Sequence, residues 1–280
     1  DPDTWQTDPL STSEVPESQN IIDIGNLAGT PQRVNVQTAD AYTHQLSIAS
    51  STDTITIGVK NGQSLSAVVG ATIGDNAVIE LGQAGIPTDT GGLARDTVAV
   101  QGGGRLSGNG TVAGDLVIGT ASGAQQATLS PGFSVGHLDV DGNYTQAARG
   151  TLVIDVEGAG VDEFDTIDVT GQLNLGGTLK VDASQFAGLT AGATVDILKA
   201  ESIAPGTIFD QVLTIGSGDY YFAPSYLPGV VQMTSYIRGD MNRNLALDVG
   251  DITEFALALR NPDAYYNLRF IEGSQSGNMD

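Results

Sequence analysis

Apolar and polar residues alternate with a period of two along most of this chain. Ile55, Ile57 and Val59 alternate with Thr54, Thr56 and Gly58. Leu152, Ile154 and Val156 alternate with Val153, Asp155 and Glu157, and Leu138 and Val140 with His137, Asp139 and Asp141. Ile167 and Val169 repeat the pattern between Thr166, Asp168 and Thr170. Such alternation predicts half-buried strands from about residue 19 to residue 236. Glycine-rich turns separate them: Gly102-Gly103-Gly104, Gly108-Asn109-Gly110, Asp141-Gly142-Asn143 and Gly176-Gly177. No long helical stretches lie between the strands, which disfavours a doubly wound α/β sheet. A sandwich or a solenoid remains. Short units of an apolar pair followed by a glycine turn succeed one another from Val98 to Val181. One such unit cannot bury its own apolar face, but a stack of them can. The expected fold is therefore all-β, a right-handed parallel β-solenoid (β-helix), with the sandwich as its rival.

Near Arg238 the pattern changes. Ile252, Phe255, Ala256 and Leu259 form an apolar stripe at helical spacing, with Glu254 in the first turn and Asn261-Pro262 ending the run. The helix opens directly from the segment Asp240-Met241-Asn242-Arg243-Asn244-Leu245-Ala246-Leu247-Asp248-Val249-Gly250-Asp251. Oxygen-bearing side chains fall at loop positions 1, 3, 5, 9 and 12, the ligand spacing of an EF-hand-type calcium loop. Calcium is a hard cation that takes six to eight oxygens. Asp240, Asn242, Asn244 and Asp248 supply side-chain oxygens, Ala246 its backbone carbonyl, and Asp251 closes the shell. Position 6, where glycine makes the sharp turn, is Leu245, which predicts strain. The alternative is a solvated acidic turn in front of a helix.

Residues 1–20 are polar and acidic and carry three prolines. Such a segment orders only by lying on a surface, either its own domain or a neighbouring copy. Three parts follow: an extended tail over 1–20, a solenoid domain over 21–236, and a small C-terminal calcium-loop and helix module over 237–280.

Composition narrows the function. Glycine numbers 37 and aromatics make up 6% of the 280 residues. The formal net charge of −22 repels phosphate backbones and anionic membranes, and makes divalent cations the natural counter-charge. With no cysteine there are no disulfides, thiolate metal sites or cysteine nucleophiles. No apolar run approaches the ~20 residues that span a bilayer. No signal peptide is visible; if the protein is exported, its leader has already been removed.

The run Gly104-Arg-Leu-Ser-Gly-Asn-Gly-Thr-Val-Ala-Gly-Asp-Leu, then the stretch from Leu129 to Thr145, then Gly150-Thr-Leu-Val-Ile-Asp-Val, resembles the autotransporter-associated β-strand repeat region of bacterial surface proteins. The segments from Phe164 to Gly171 and from Leu175 to Val181 continue it, so the resemblance covers roughly residues 98–200. It implies a β-helical, non-enzymatic surface scaffold. The loop and helix from Asp240 onward resemble a type I dockerin repeat, which also closes its loop with Asp. Gly277-Asn278-Met279-Asp280 echoes Gly239-Asp240-Met241-Asn242, as though a second repeat were cut at its first ligands. The dockerin resemblance implies a cohesin-like protein partner.

Other motifs carry weaker chemistry. Gly132-Phe133-Ser134-Val135-Gly136 matches G-x-S-x-G, but strands are expected on both sides of the serine where a hydrolase needs a helix leaving it. The acidic group Asp162, Glu163, Asp165 and Asp168 has no Lys or Arg near it in sequence. Tyr220, Tyr221, Phe222 and Tyr226, with Pro224 and Pro228, can stack on sugar rings or close the end of a β core. His44 and His137 are isolated and lack metal-ligand spacing. The expected function is a non-catalytic, secreted, bacterial cell-surface protein, an adhesive or matrix scaffold that self-assembles through its ends and tail, for instance head-to-tail as a filament. The rivals are an extracellular polysaccharide-binding or polysaccharide-degrading β-helix and a dockerin-type partner of a cohesin.

Overall fold

A computed structural model describes residues 45–261, apart from 51–53, 61, 68–69 and 83–89, together with the backbone of strands Ile21–Gly25, Gln32–Val36 and Ala41–Thr43. At 94–95 the backbone alone is described. The expected tail over 1–20, His44, Pro262 and the echo over 277–280 lie outside the described residues.

The chain is a parallel β-solenoid. Each turn lays down three short strands, one on each of three faces. The third face is an eight-stranded parallel sheet running from Gln32–Val36 through Ile55–Val59, Ala77–Leu81, Arg105–Gly108, Ala127–Pro131, Gly150–Asp155 and Thr178–Asp182 to Gln211–Ile215. The other two faces belong to one fifteen-stranded sheet that bends round a corner. Strand Gly110–Ile118 shows how. Its first half pairs with His137–Val140 on the first face and its second half with Tyr144–Gln146 on the second. At the bend the register slips between Ala113 and Asp115, and the neighbouring strand turns at Asp96 with φ of 68°.

Parallel pairing in register stacks equivalent side chains into columns. On the third face Ile57, Ile79, Leu106, Leu129, Leu152 and Leu179 follow one another rung by rung, ending on Val212. The first six are buried. Leu65, Leu93, Val112, Val140 and Val169 form a column on the first face. Burying one such side chain stabilises by about 1.5–3 kcal/mol, so the columns supply the cohesion that no single rung has. Where the second-face column reaches Tyr144, the buried hydroxyl donates to Gln146 Oε1 at 2.7 Å, and Gln146 Nε2 donates to Thr178 O at 2.9 Å. Every buried polar atom in that short network has a partner, as a dry core requires.

Glycines make the sharpest corner. Strand Arg105–Gly108 passes to Gly110–Ile118 through the single residue Asn109, with φ of 101° at Gly108 and 151° at Gly110. A Cβ on either would stand 1.9 Å from a carbonyl oxygen of the rung before.

An antiparallel hairpin, Tyr220–Leu227 with Val230–Ile237, closes the C-terminal end by pairing with Thr194–Lys199. Phe222, Ala223, Val231 and Met233 of the hairpin are buried. Its outermost strand carries Pro224, which has no N–H to offer a further strand. This end of the solenoid is thus capped and its first sheet blunted. Gln211–Ile215 is the last strand of the third-face sheet and turns Leu213 and Ile215 outward, 41% and 36% exposed.

Candidate functional site

The acidic loop leaves the cap directly. Tyr221 donates its hydroxyl to Asp240 O at 3.1 Å and its ring lies 5.7 Å from that of Tyr236. The Arg243 guanidinium sits over the Tyr236 ring, 5.5 Å from its centre. Tyr226 accepts from Phe209 N–H through its hydroxyl at 3.1 Å and packs against that ring. The aromatic patch therefore closes the core and seats the loop.

Inside the loop the oxygen-bearing side chains turn toward its own backbone. Asp240 is fully buried; its two oxygens accept from Asn244 N–H at 3.1 Å and Leu245 N–H at 2.9 Å. Asn242 Oδ1 accepts from Asn244 N–H, and Asn244 Oδ1 from Ala246 N–H, both at 3.0 Å. Asp251 Oδ1 accepts from Met241 N–H at 2.8 Å and Asn242 N–H at 3.2 Å. Leu245 has φ of 69° and Arg243 58°, the left-handed region that suits glycine. The sharp turn expected at position 6 is therefore made, and a leucine makes it.

Helix Val249–Arg260 forms where a helix was expected but begins inside the loop, so Asp251 and not Glu254 lies in its first turn. Asp248 is its N-cap, accepting from Gly250 N–H at 2.7 Å, while Asp251 Oδ2 accepts from Asp248 N–H at 2.9 Å. Because the Asp248 side chain also accepts from the Asp251 N–H, the two aspartates form a capping box. The N–H of Asp248, with those of Asn242 and Met241, holds the Asp251 carboxyl below the usual range against a smaller opposing effect of burial. The apolar stripe has the expected spacing but faces outward: Val249 is 82% exposed, Ile252 67% and Leu259 70%.

The acidic group at 162–168 does not stay together. Glu163 accepts from Gly160 N–H at 2.8 Å within its own turn. Asp165 points inward, fully buried, and accepts from Gly136 N–H at 2.7 Å and Asp155 N–H at 2.8 Å. Burial, with Asp155 and Glu157 nearby, pushes its pKa up to about 9 against the lowering by those two N–H groups. Asp168 points outward on the first face, in register with Asp139. Ser134 bonds Glu157, while the His137 ring contacts Thr166 and Asp139. The G-x-S-x-G serine thus bonds a carboxylate, and its neighbouring histidine is committed elsewhere.

Sequence reading missed the cleft on the first face. Asp139, Asp141, Asp168, Val169, Thr170, Lys199 and Ala200 line a shallow depression of about 260 Å3. Its members come from three successive turns, so no local run of residues announces it. No family model matches the chain, and no curated protein matches it in sequence.

Proposed function

We propose that this chain is a non-catalytic extracellular scaffold, a rigid acidic shaft whose C-terminal module is ordered by calcium. What supports the reading most is the loop at 240–251, an oxygen-only donor set that a left-handed Leu245 folds back on itself against the capped end of a continuous aliphatic core. The donors suit a hard cation. Asp240, Asn242, Asn244, Asp248 and Asp251 would hold calcium by side chain and Ala246 by its carbonyl. A divalent ion would supply counter-charge to the three aspartates of this loop, Asp240, Asp248 and Asp251. Bound calcium would neutralise carboxylates that otherwise repel one another.

Outward-facing threonine, asparagine and aspartate along the shaft suit display and assembly. Self-association is expected at strand Gln211–Ile215, the last of the third-face sheet, where Leu213 and Ile215 are partly exposed and the hairpin touches the strand through Phe222 N–H on Thr214 Oγ1. The exposed helix stripe is the surface that a cohesin-like partner would contact. Hydrogen exchange with and without chelator tests the reading. Protection over 240–251 falls on chelation and returns with calcium, while the strands of the shaft keep theirs. Equal protection in both conditions overturns it. Electron micrographs of the same samples distinguish filaments from monomers.

The first-face cleft favours a second reading, an activity on acidic polysaccharide, because it sets Asp139, Asp141 and Asp168 beside Lys199. Its lining has no aromatic platform for a sugar ring. Release of reducing ends from a uronic acid polymer, lost in Lys199→Ala, would displace the scaffold reading.

A further inference from the structure

We infer that the first face carries a binding site for a first-row divalent metal ion, zinc in the first instance, built from His137, Asp139 and Asp168. The inference is independent of the calcium loop and of the scaffold reading; it shares Asp139 and Asp168 with the first-face cleft. Among the described residues these are the one group of three histidine or carboxylate side chains whose ligand atoms all lie within 4.8 Å of one another. The solenoid itself brings them together. His137 and Asp139 are two apart on one strand and so project from the same side, and the next turn places Asp168 in register beside Asp139. Two carboxylates directly opposite across a parallel pair repel, and a cation between them removes the penalty.

The distances suit one ion. His137 Nε2 and Asp139 Oδ1 are 3.1 Å apart. Two ligands at the usual zinc distances on a tetrahedron stand about 3.3 Å apart. The other ring nitrogen, Nδ1, lies 2.7 Å from Thr166 Oγ1, a partner that orients the imidazole and can set which nitrogen faces the metal.

The histidine is also anchored from below by buried polar side chains. Asn109, 8% exposed, accepts from His137 N–H at 2.9 Å, and the fully buried Asp165 accepts from Gly136 N–H at 2.7 Å. These contacts fix the start of strand His137–Val140 without using the ligands' own atoms. An imidazole among the donors selects zinc, cobalt, nickel or copper over calcium and magnesium. Lys199 follows Asp168 in the same column, one turn further on, and partly offsets its charge. Three protein ligands leave a coordination position open to water or to a donor from another molecule.

The test is calorimetric titration of zinc chloride into the chelator-stripped full chain, with calcium in excess to occupy the acidic loop. The expected result is one zinc per chain, with affinity reduced at least about tenfold in both His137→Ala and Asp168→Asn, and unchanged in Asp251→Asn. Both tested ligands are exposed, so neither substitution opens the core, and circular dichroism checks that the fold is kept. Cobalt should give the intense visible absorption of a tetrahedral site in the wild type and lose it in His137→Ala. Absence of zinc binding overturns the inference. So does binding that survives His137→Ala, which would assign the metal to His44 or to carboxylates alone.

Discussion

Strand Gly150–Asp155 and helix Val249–Arg260 carry equally regular apolar patterns, yet they end in opposite places. Leu152 and Ile154 are completely buried between the rungs on either side. Ile252, Phe255 and Leu259 stand in the open, and the residue the helix buries is the carboxylate Asp251. The shaft is held by apolar columns that run through every turn. The contacts described in the module are mainly side-chain oxygens on backbone N–H groups, with the Arg243–Tyr236 contact and the Tyr221 hydroxyl beside them. A periodic stripe guarantees an apolar face; a neighbour is needed to make that face a core.

The contrast breaks first in the shaft. Leu129→Ala, in the middle of the third-face column, should cost about 2–5 kcal/mol in chemical denaturation and lower the melting of the whole shaft. A cost below about 1 kcal/mol would mean that the rungs do not share one core.

Calcium should act on the module alone. At about 100 times its dissociation constant it adds about 2.7 kcal/mol to whatever unfolds with the loop. Scanning calorimetry with chelator should shift the transition of the module and leave that of the shaft in place. A shift of both would make them one cooperative unit.

The two regions should also answer pH in opposite senses. Burial raises the pKa of Asp165 from the ordinary 3.8 to about 9. Its folded form therefore binds more protons than its unfolded form between those values. Its contribution is fully present below about pH 4 and is lost as pH rises through about 9, with a slope of at most about 1.4 kcal/mol per unit. Asp251 is shifted the other way, so its contribution is present above its unfolded pKa and is lost as pH falls through the folded one. Melting curves at pH 5 and pH 8 should show a firmer shaft at the lower value, and acid below pH 4 should loosen the module first. An Asp165→Asn variant with the wild-type pH profile would show that other groups carry the effect in the shaft.

Smaller effects refine the module. Leu245→Gly removes a left-handed leucine and should stabilise the loop by about 1 kcal/mol, read as a higher melting point of the module. Ile252→Lys should change stability by less than about 0.5 kcal/mol, because its side chain meets solvent. A larger loss would reveal that something covers the helix face.

Much of the fold was legible because strand burial has a local signature. The alternations at 55–59, 138–140, 152–156 and 167–169 all bury the apolar members, and the glycine corner at 108–110 lies where the punctuation placed it. The helix and the sharp turn at position 6 were equally local; the capping role of Asp248 was not read. Five oxygen-bearing residues within twelve positions needed no distant partner to be noticed. The closing hairpin was less visible. Its inner strand alternates like the others while its outer strand buries Phe222, Ala223 and Pro224 in a row, and nothing in either pattern tells an antiparallel cap from one more parallel turn.

Local order thus specified strands, corners, loop and helix, since each depends on residues a few positions apart. Long-range register was settled in space. His137 meets Thr166, Asp139 meets Asp168, and Asp165 reaches back to Gly136 because the loop at 156–165 happens to return the chain at that height. A shift of one residue there would turn Asp168 inward and Asp165 outward, since alternate side chains point to opposite faces. The stacking that turns separate weak rungs into one core is also what gathers charged groups from different turns, and no stretch of contiguous sequence contains that information.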